Sequence, residues 1–348
     1  MVRVGINGFG RVGRVVTRIC LEDDDVDVVA INELDPDLKN LSYLLRFDSL
    51  YGRLGRDVCV DGSDLLIEGR RVPVWHESDI RAVRWERSQV DVVIEATGVG
   101  ANVERAHELV STGRVGKVVV TNAHQSVDAT IVVGVNDDEY CHERHHVVSS
   151  SICDANAVAP VLHEIDRRWG VDAAFITTLH PWLSYQNLLD GPVSSVASPG
   201  HSWQDFALGR ASVMNLIPKE TTAARAACAV LPHLAGCVEA ISFRVPTHIV
   251  SASDLTICLR RQASAEEVNG AFAEAERRRP DVVRLEVDPL VSSDFMRMRQ
   301  SCIVDARRTK VVGGKMLKIV TWYDNEWGYS NRVIDVARLA CARTRVPS

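Results

Sequence analysis

The sequence lacks most of the features that mark a specialised class of protein. Its 348 residues contain no CxxC pair, although nine cysteines are scattered at positions 20, 59, 141, 153, 228, 237, 258, 302 and 341. An odd, dispersed set reads as reduced and mostly buried thiols, which excludes a disulfide framework. No apolar run reaches the roughly 20 residues that a bilayer span requires, so no membrane partner is expected. Basic residues are not in excess: 40 Lys and Arg against 46 Asp and Glu leave a formal charge of −6, which argues against a nucleic-acid partner. There is no internal repeat and no low-complexity linker. The opening MVRVGINGFG enters a strand-like pattern at once instead of a signal-peptide arrangement, so a cytoplasmic location is expected. One stretch, 141-CHERHH-146, has metal-ligand residue types, but no second cluster offers matching ligands. It reads as a solvated turn, and no metal is expected.

What is present is ordinary for a soluble α/β chain: 46% apolar and 25% charged residues over a length suited to about two domains. Residues 2–7 read as a buried strand, 11–21 as a helix, and 26–32 as a second strand. Strands at 91–97, 117–122 and 131–135 follow, with a helix at 102–111. Such alternation implies a doubly wound, Rossmann-type parallel sheet with helices on both faces. Beyond about residue 152 the texture changes. Strands at 172–180, 238–246 and 253–261 are separated by long irregular segments, and 265–278 has amphipathic helical spacing. That pattern predicts an α+β domain with a mostly antiparallel sheet. A long helix is expected at 326–343. The resulting division is residues 1–152, with the terminal helix packing back on them, and residues 153–325.

Gly8, Gly10 and Gly13 form G-x-G-x-x-G between a strand and a helix, the context that gives this pattern meaning. The first glycine permits a tight turn, the second lets backbone approach a pyrophosphate, and the third lets helix and strand pack closely. The helix N-terminus offers free N–H groups to the anion. The second strand ends in Asn32-Glu33. A carboxylate there suits the ribose hydroxyls and repels a 2′-phosphate, which favours NAD over NADP.

The stretch 149-SSSICDANAVAP-160 raises a different question. Cys153 follows a strand-like run and opens a helix-prone segment, so its thiol would lie at a helix N-terminus, where the dipole favours a thiolate. The stretch 177-TTLH-180 supplies His180 at a strand end, and a thiol with an imidazole is the minimal activated nucleophile. From spacing alone a buried core cysteine is the stronger reading, because most lone cysteines in such chains are core residues.

Taken together these stretches resemble the glyceraldehyde-3-phosphate dehydrogenase family, including its erythrose-4-phosphate relatives. The resemblance covers essentially the whole chain: 4-VGINGFGRVGR-14, INE at 31–33, ATG at 96–98, VVGVN at 132–136, Cys153 and Asn156 followed by Ala159-Pro160, TTLH at 177–180, RVPT at 244–247 and 322-WYDNEWGYSNRV-333. The resemblance implies Cys153 as nucleophile and His180 as its general base. It implies NAD as cofactor, with Gly8, Phe9, Gly10, Arg11, Val12 and Gly13 at the pyrophosphate and Asn32 and Glu33 at the ribose. Thr97, Gly98, Thr121 and Pro192 would complete the cofactor site, with Asn325 on the nicotinamide carboxamide. It also implies a homo-oligomer, a tetramer in the family.

The departures cluster at the substrate end. The family usually reads S-C-T-T-N at the nucleophile, where this chain has Ile152, Cys153, Asp154, Ala155 and Asn156. After the histidine, S-Y-T-N-D-Q becomes 181-PWLSYQ-186, placing Leu183 and Tyr185 where a threonine and an aspartate bind substrate phosphate. The stretch 193–210 is longer than usual. By register from Pro218, a phosphate-binding arginine falls on Leu208, while Arg210 matches a neighbouring arginine. S-T-G becomes Glu220, Thr221 and Thr222, and Arg244 keeps its place. Phosphate is held by charge-assisted hydrogen bonds of roughly 1.5–3 kcal/mol each, so losing several weakens binding by orders of magnitude. The expected substrate-binding set is thus Ile152, Asp154, Leu183, Tyr185, Arg210, Thr221, Thr222 and Arg244. The leading expectation is an enzyme that oxidises a small-molecule aldehyde, or reduces an activated acyl group, through a Cys153 thioester in an altered pocket. The alternatives are an ordinary phosphorylating dehydrogenase, with arginines such as Arg297 or Arg299 rebuilding the anion site, and a non-catalytic NAD-binding regulator.

Overall fold

The computed structural model describes residues 1–192 and 205–342. The chain divides into two compact units, one formed by Met1–Ile152 together with the segment from Ser330 onward, the other by Cys153–Tyr329. The expected class, a doubly wound sheet and a mostly antiparallel α+β unit, is the observed one.

The first unit is built on a nine-stranded sheet. From one edge its strands run Ala129–Thr130, Val147–Ser149, Lys117–Val120, Val92–Glu95, Val2–Asn7, Val26–Asn32, Arg70–Trp75, Asp64–Ile67 and Val58–Asp61. The first seven are mutually parallel. They read as near-continuous apolar runs because both faces are covered, and Val4, Ile6, Ile94 and Val118 to Val120 are fully buried. Chain order reverses across Val2–Asn7, which pairs with Val26–Asn32 on one side and Val92–Glu95 on the other. A doubly wound sheet binds ligands outside the strand ends at such a point.

Two features differ from expectation. The strand expected at 131–135 is replaced by a two-residue strand, Ala129–Thr130, and a turn. Asn136 Oδ1 accepts from Val132 N at 2.9 Å and Asp137 Oδ1 from Gly134 N at 2.7 Å, so side chains take the donors a ladder would have used. The sheet also gains two antiparallel edge strands, joined by reversals at Gly62 and at Glu68-Gly69. All three residues have positive φ, as tight hairpin turns require.

The second unit carries an eight-stranded sheet in the order Ile217–Lys219, Val238–Val245, Val171–Pro181, Ser251–Leu259, Met316–Tyr323, Cys302–Asp305 and Val283–Glu286, with Lys310–Val312 also on Met316–Tyr323. Five pairings are antiparallel and two parallel. The helix Cys153–Trp169 has an almost wholly buried first half. Pro160 lies within it and cannot donate to the carbonyl four residues back. The helix Ala265–Arg278 starts at a capping box between Ser264 and Glu267. The terminal helix spans Trp327–Cys341, with residue 343 outside the described residues.

Candidate active site

The glycine loop occupies the end of Val2–Asn7 in the first unit. Gly8 has φ +95°, and a Cβ there would lie 2.8 Å from Thr97 N. A Cβ on Gly13 would lie 2.1 Å from Gly8 O, whereas one on Gly10 would meet nothing within 4 Å. Gly10 thus keeps open the space in front of the helix Arg11–Cys20, whose N-terminus has no side-chain cap. Uncapped N–H groups beside open space fit a pyrophosphate.

Around the loop, Glu33 Oε2 accepts from Phe9 N at 2.7 Å and Oε1 from Asp35 N at 3.2 Å. Asn32 is engaged structurally, donating to Asn7 Oδ1 at 2.7 Å and Glu77 O at 2.8 Å and accepting from Glu77 N at 2.9 Å. Arg11 pairs with Asp48 at 2.5 Å, and Val12 is half-buried. Thr97 N donates to Glu95 Oε1 at 2.8 Å, Thr121 donates to Glu95 O through N and Oγ1, and Gly98 has φ +72°. Glu95 was not singled out from the sequence. Burial pushes its carboxyl pKa up, against the hydrogen bonds from Thr97 and Asn7. Its only sequence signal is an acid ending an otherwise apolar strand.

In the second unit, Cys153 is the first residue of its helix and His180 lies near the end of Val171–Pro181, on the inward face with Ile176 and Thr178. Cys153 Sγ stands 3.7 Å from His180 Nε2 and 3.5 Å from Asp154 Oδ1. His180 Nδ1 lies 2.7 Å from Pro181 O. A carbonyl can only accept, so Nδ1 carries the proton and Nε2 presents its lone pair to the sulfur. Tyr323 donates its hydroxyl to Asp154 Oδ1 at 2.7 Å, and Ser253 Oγ lies 3.4 Å from that hydroxyl. Tyr323 went unnoticed in the sequence because it sits inside the long motif at 322–333 and looks like a core aromatic.

The electrostatics follow from this enclosure. Cys153 keeps a partly exposed edge, but its sulfur is surrounded by protein, and burial pushes its pKa well above the ordinary thiol value. The Asp154 carboxylate adds to the rise and Arg244 opposes it. Burial, and then Arg244, lower His180 to about 4 against the pull of Asp154. Burial raises Tyr323 far above its ordinary value, so it remains a donor.

Arg244 is buried opposite His180 in the strand register and donates to Tyr185 Oη at 3.1 Å, while its Nε has no partner among the described residues. Lys219, also missed in the sequence, lies one strand further out, paired with Ser242 on the same face. Burial and Arg244 both lower its pKa. Two cations close to the Cys–His pair form a site with anion-binding character. Thr221 Oγ1 accepts from Ala223 N at 3.2 Å, and Thr222 precedes the helix Ala223–Val230. Leu183 and Ile152 are half-buried and Leu208 is buried. Arg210 is tied to Asp190 at 3.0 Å in an exposed pair, Arg299 to Asp281 at 3.1 Å, and Arg297 stacks over Trp327 at 4.5 Å. Residues 193–204 of the longer segment lie outside the described residues.

Asn325 Oδ1 accepts from Val250 N at 3.1 Å, which leaves its NH₂ group as the donor. Val250 has φ +70°, a costly conformation for a β-branched residue and of the kind that gathers at functional sites. Pro192 is exposed, its carbonyl accepting from Asn187 at 3.1 Å. In the turn at 141–146, expected to be solvated, Glu143 and Arg144 are exposed while Cys141, His142, His145 and His146 are half-buried, and Lys117 Nζ is bonded to its carbonyls.

A dinucleotide loop on a doubly wound sheet, followed by an α+β unit with a buried Cys–His pair, defines a nucleotide-dependent oxidoreductase architecture. Residues 2–103 match the family model for the NAD-binding domain of glyceraldehyde 3-phosphate dehydrogenase, and residues 152–325 match that for its C-terminal domain. The chain is 39% identical to glyceraldehyde-3-phosphate dehydrogenase of Geobacillus stearothermophilus and to glyceraldehyde-3-phosphate dehydrogenase 1 of Bacillus subtilis, each over 97% of both chains. It is 40% identical to the Kitasatospora aureofaciens enzyme over 99% of this chain and all of that one. The chain belongs to the glyceraldehyde-3-phosphate dehydrogenase family and is an NAD-binding oxidoreductase.

Proposed function

We propose that the protein oxidises an aldehyde bearing an anionic group, through a thioester on Cys153, with residues 1–152 serving NAD and 153–325 the substrate. The observation that carries this reading is the 3.7 Å approach of Cys153 Sγ to a His180 Nε2 whose lone pair is free. When bound, NAD supplies the hydride acceptor. Neutral His180 takes the thiol proton as the sulfur attacks the carbonyl carbon, then returns it to the new alkoxide. The same Nε2 removes that proton as the C–H hydride departs and the carbonyl re-forms as a thioester. A second nucleophile releases the acyl group and restores the thiol; run backward, the sequence reduces an activated acyl group. The Asn325 NH₂ suits the nicotinamide carboxamide oxygen, and the open space at Gly10 suits the pyrophosphate.

Arg244 and Lys219 support an anionic substrate group. The curated relatives are named for glyceraldehyde 3-phosphate, and these two cations favour that substrate as a second reading. Asp154, Leu183 and Tyr185, in place of the family's hydroxyl and acidic residues, favour a different one. Self-association, as a tetramer in the family, is part of the proposal. NAD reduction across a panel of aldehydes, with and without phosphate, separates the readings. A distinct aldehyde giving the highest kcat/KM supports the altered pocket, and glyceraldehyde 3-phosphate with phosphate outpacing all others overturns it.

A further inference from the structure

The side chains of Cys153, Asp154 and His180 bring three different ligand atoms, Sγ, a carboxylate oxygen and an imidazole nitrogen, within 4.8 Å of one another. From this geometry we infer a binding site for a thiophilic divalent cation, zinc above all, that reversibly silences the nucleophile. The inference rests on the geometry of the cluster and does not depend on which substrate the enzyme takes.

The distances suit the ion. Tetrahedral zinc with bonds of about 2.3 Å to sulfur and about 2.0–2.1 Å to nitrogen or oxygen places sulfur about 3.5 Å from each neighbouring ligand. The observed separations are 3.5 Å from Cys153 Sγ to Asp154 Oδ1 and 3.7 Å to His180 Nε2. The remaining edge, from the Asp154 carboxylate oxygen to His180 nitrogen, lies within 4.8 Å and is the one that closes toward about 3.3 Å around a tetrahedral cation. The outer contacts are also those a metal site requires. His180 Nδ1 faces Pro181 O at 2.7 Å, fixing the tautomer that presents Nε2, and Tyr323 orients Asp154 through a 2.7 Å hydrogen bond. Asp154 and His180 are both buried, so neither is a solvated side chain that has drifted into range.

The charges balance too. Binding displaces the Cys153 proton to solvent, and thiolate plus carboxylate neutralise a dication with no change in oxidation state. Arg244 and Lys219, within electrostatic reach of His180, oppose a second cation. They hold the affinity below that of a closed structural site and keep binding reversible by a chelator. Three protein ligands leave a fourth position for water, and the sulfur lone pair that would attack a carbonyl is occupied.

Metal-free protein titrated with cobalt(II), without substrate, reads the site directly. One equivalent should bind with a thiolate-to-cobalt charge-transfer band, and zinc should displace it. Cys153→Ser should abolish the band. Asp154→Asn and His180→Ala should each weaken cobalt binding at least about tenfold, and Tyr323→Phe about tenfold through loss of the outer hydrogen bond. In the wild-type protein, where no variant has to fold, zinc should protect Cys153 from iodoacetamide and EDTA should restore labelling. Cobalt binding without the thiolate band, unchanged affinity in folded Asp154→Asn and His180→Ala proteins, or labelling indifferent to zinc would each overturn the site. None of these readouts uses turnover, so failure of the aldehyde panel and failure of the metal site are separate results.

Discussion

At the residue scale, the proposed thioester chemistry requires Cys153 to lose its proton next to a carboxylate that opposes it. Asp154 is held in place by Tyr323 and raises the Cys153 pKa, second only to burial. Replacing Asp154 with Asn removes the charge while keeping the shape. The midpoint of Cys153 alkylation against pH should therefore move down; a midpoint that stays or rises contradicts the assignment. His180 is predicted to carry the proton transfers, so His180→Ala should lower kcat by about 10²–10⁴-fold, measured at saturating NAD. With its pKa near 4 in the free protein, His180 stays a neutral base well below the ordinary 6.5. The acid limb of kcat/KM should then fall near pH 4. The same shift bears on stability. Between about pH 6.5 and 4 the unfolded chain takes up a proton that the folded chain refuses, so stability falls as pH drops through that window and is fully present above it. Urea midpoints across this range should show a shallower slope in His180→Gln.

At the scale of elements, the glycine loop separates folding from binding. A methyl group on Gly13 would collide with Gly8 O at 2.1 Å, whereas one on Gly10 meets only open space. Gly13→Ala should cost about 1–3 kcal/mol or more of stability, read as a lower Tm. Gly10→Ala should keep its Tm and lose NAD affinity, read by fluorescence titration. Equal behaviour of the two would mean that the space before the helix is not the pyrophosphate seat. This loop was legible in the sequence because glycine spacing, strand and helix act over a dozen consecutive residues. So were the long strands and helices, whose periodicity is local. The strand expected at 131–135 was misread because Asn136 and Asp137 capture its backbone donors, an effect of side chains beyond the apolar run. The edge hairpins at 58–75 carried a readable turn cue, Asp61-Gly62, that a search for strand–helix alternation passes over. Glu95, Lys219 and Tyr323 were invisible for a different reason. Their roles depend on neighbours 88, 25 and 169 residues away, Asn7, Arg244 and Asp154, which strand pairing brings together in the first two cases and the packing of the helix Cys153–Trp169 on the sheet in the third.

For the whole molecule, the outer face of the second sheet raises the question of assembly. Inward residues of Val171–Pro181 such as Ile176, Thr178 and His180 are buried, while alternate residues Phe175 and Leu179 remain exposed. Ile241 on the adjacent strand is exposed too, in register with Thr177. Large apolar side chains aligned on a regular sheet face lose stability in water that they would regain against a second apolar surface. The face also carries the Lys318–Asp254 ion pair at 2.6 Å, which sets a polar margin beside the apolar patch. An apolar centre with a polar margin is the composition of an interface between copies. Light scattering of the wild-type protein should give a mass several times that of one chain, and the double variant Phe175→Lys, Ile241→Lys should shift it toward smaller species. Both substitutions lie on the face opposite Cys153 and His180, so dissociation should leave iodoacetamide labelling of Cys153 intact. A wild-type mass equal to one chain, or an assembly unmoved by two buried lysines at its centre, would show that copies do not meet on this face.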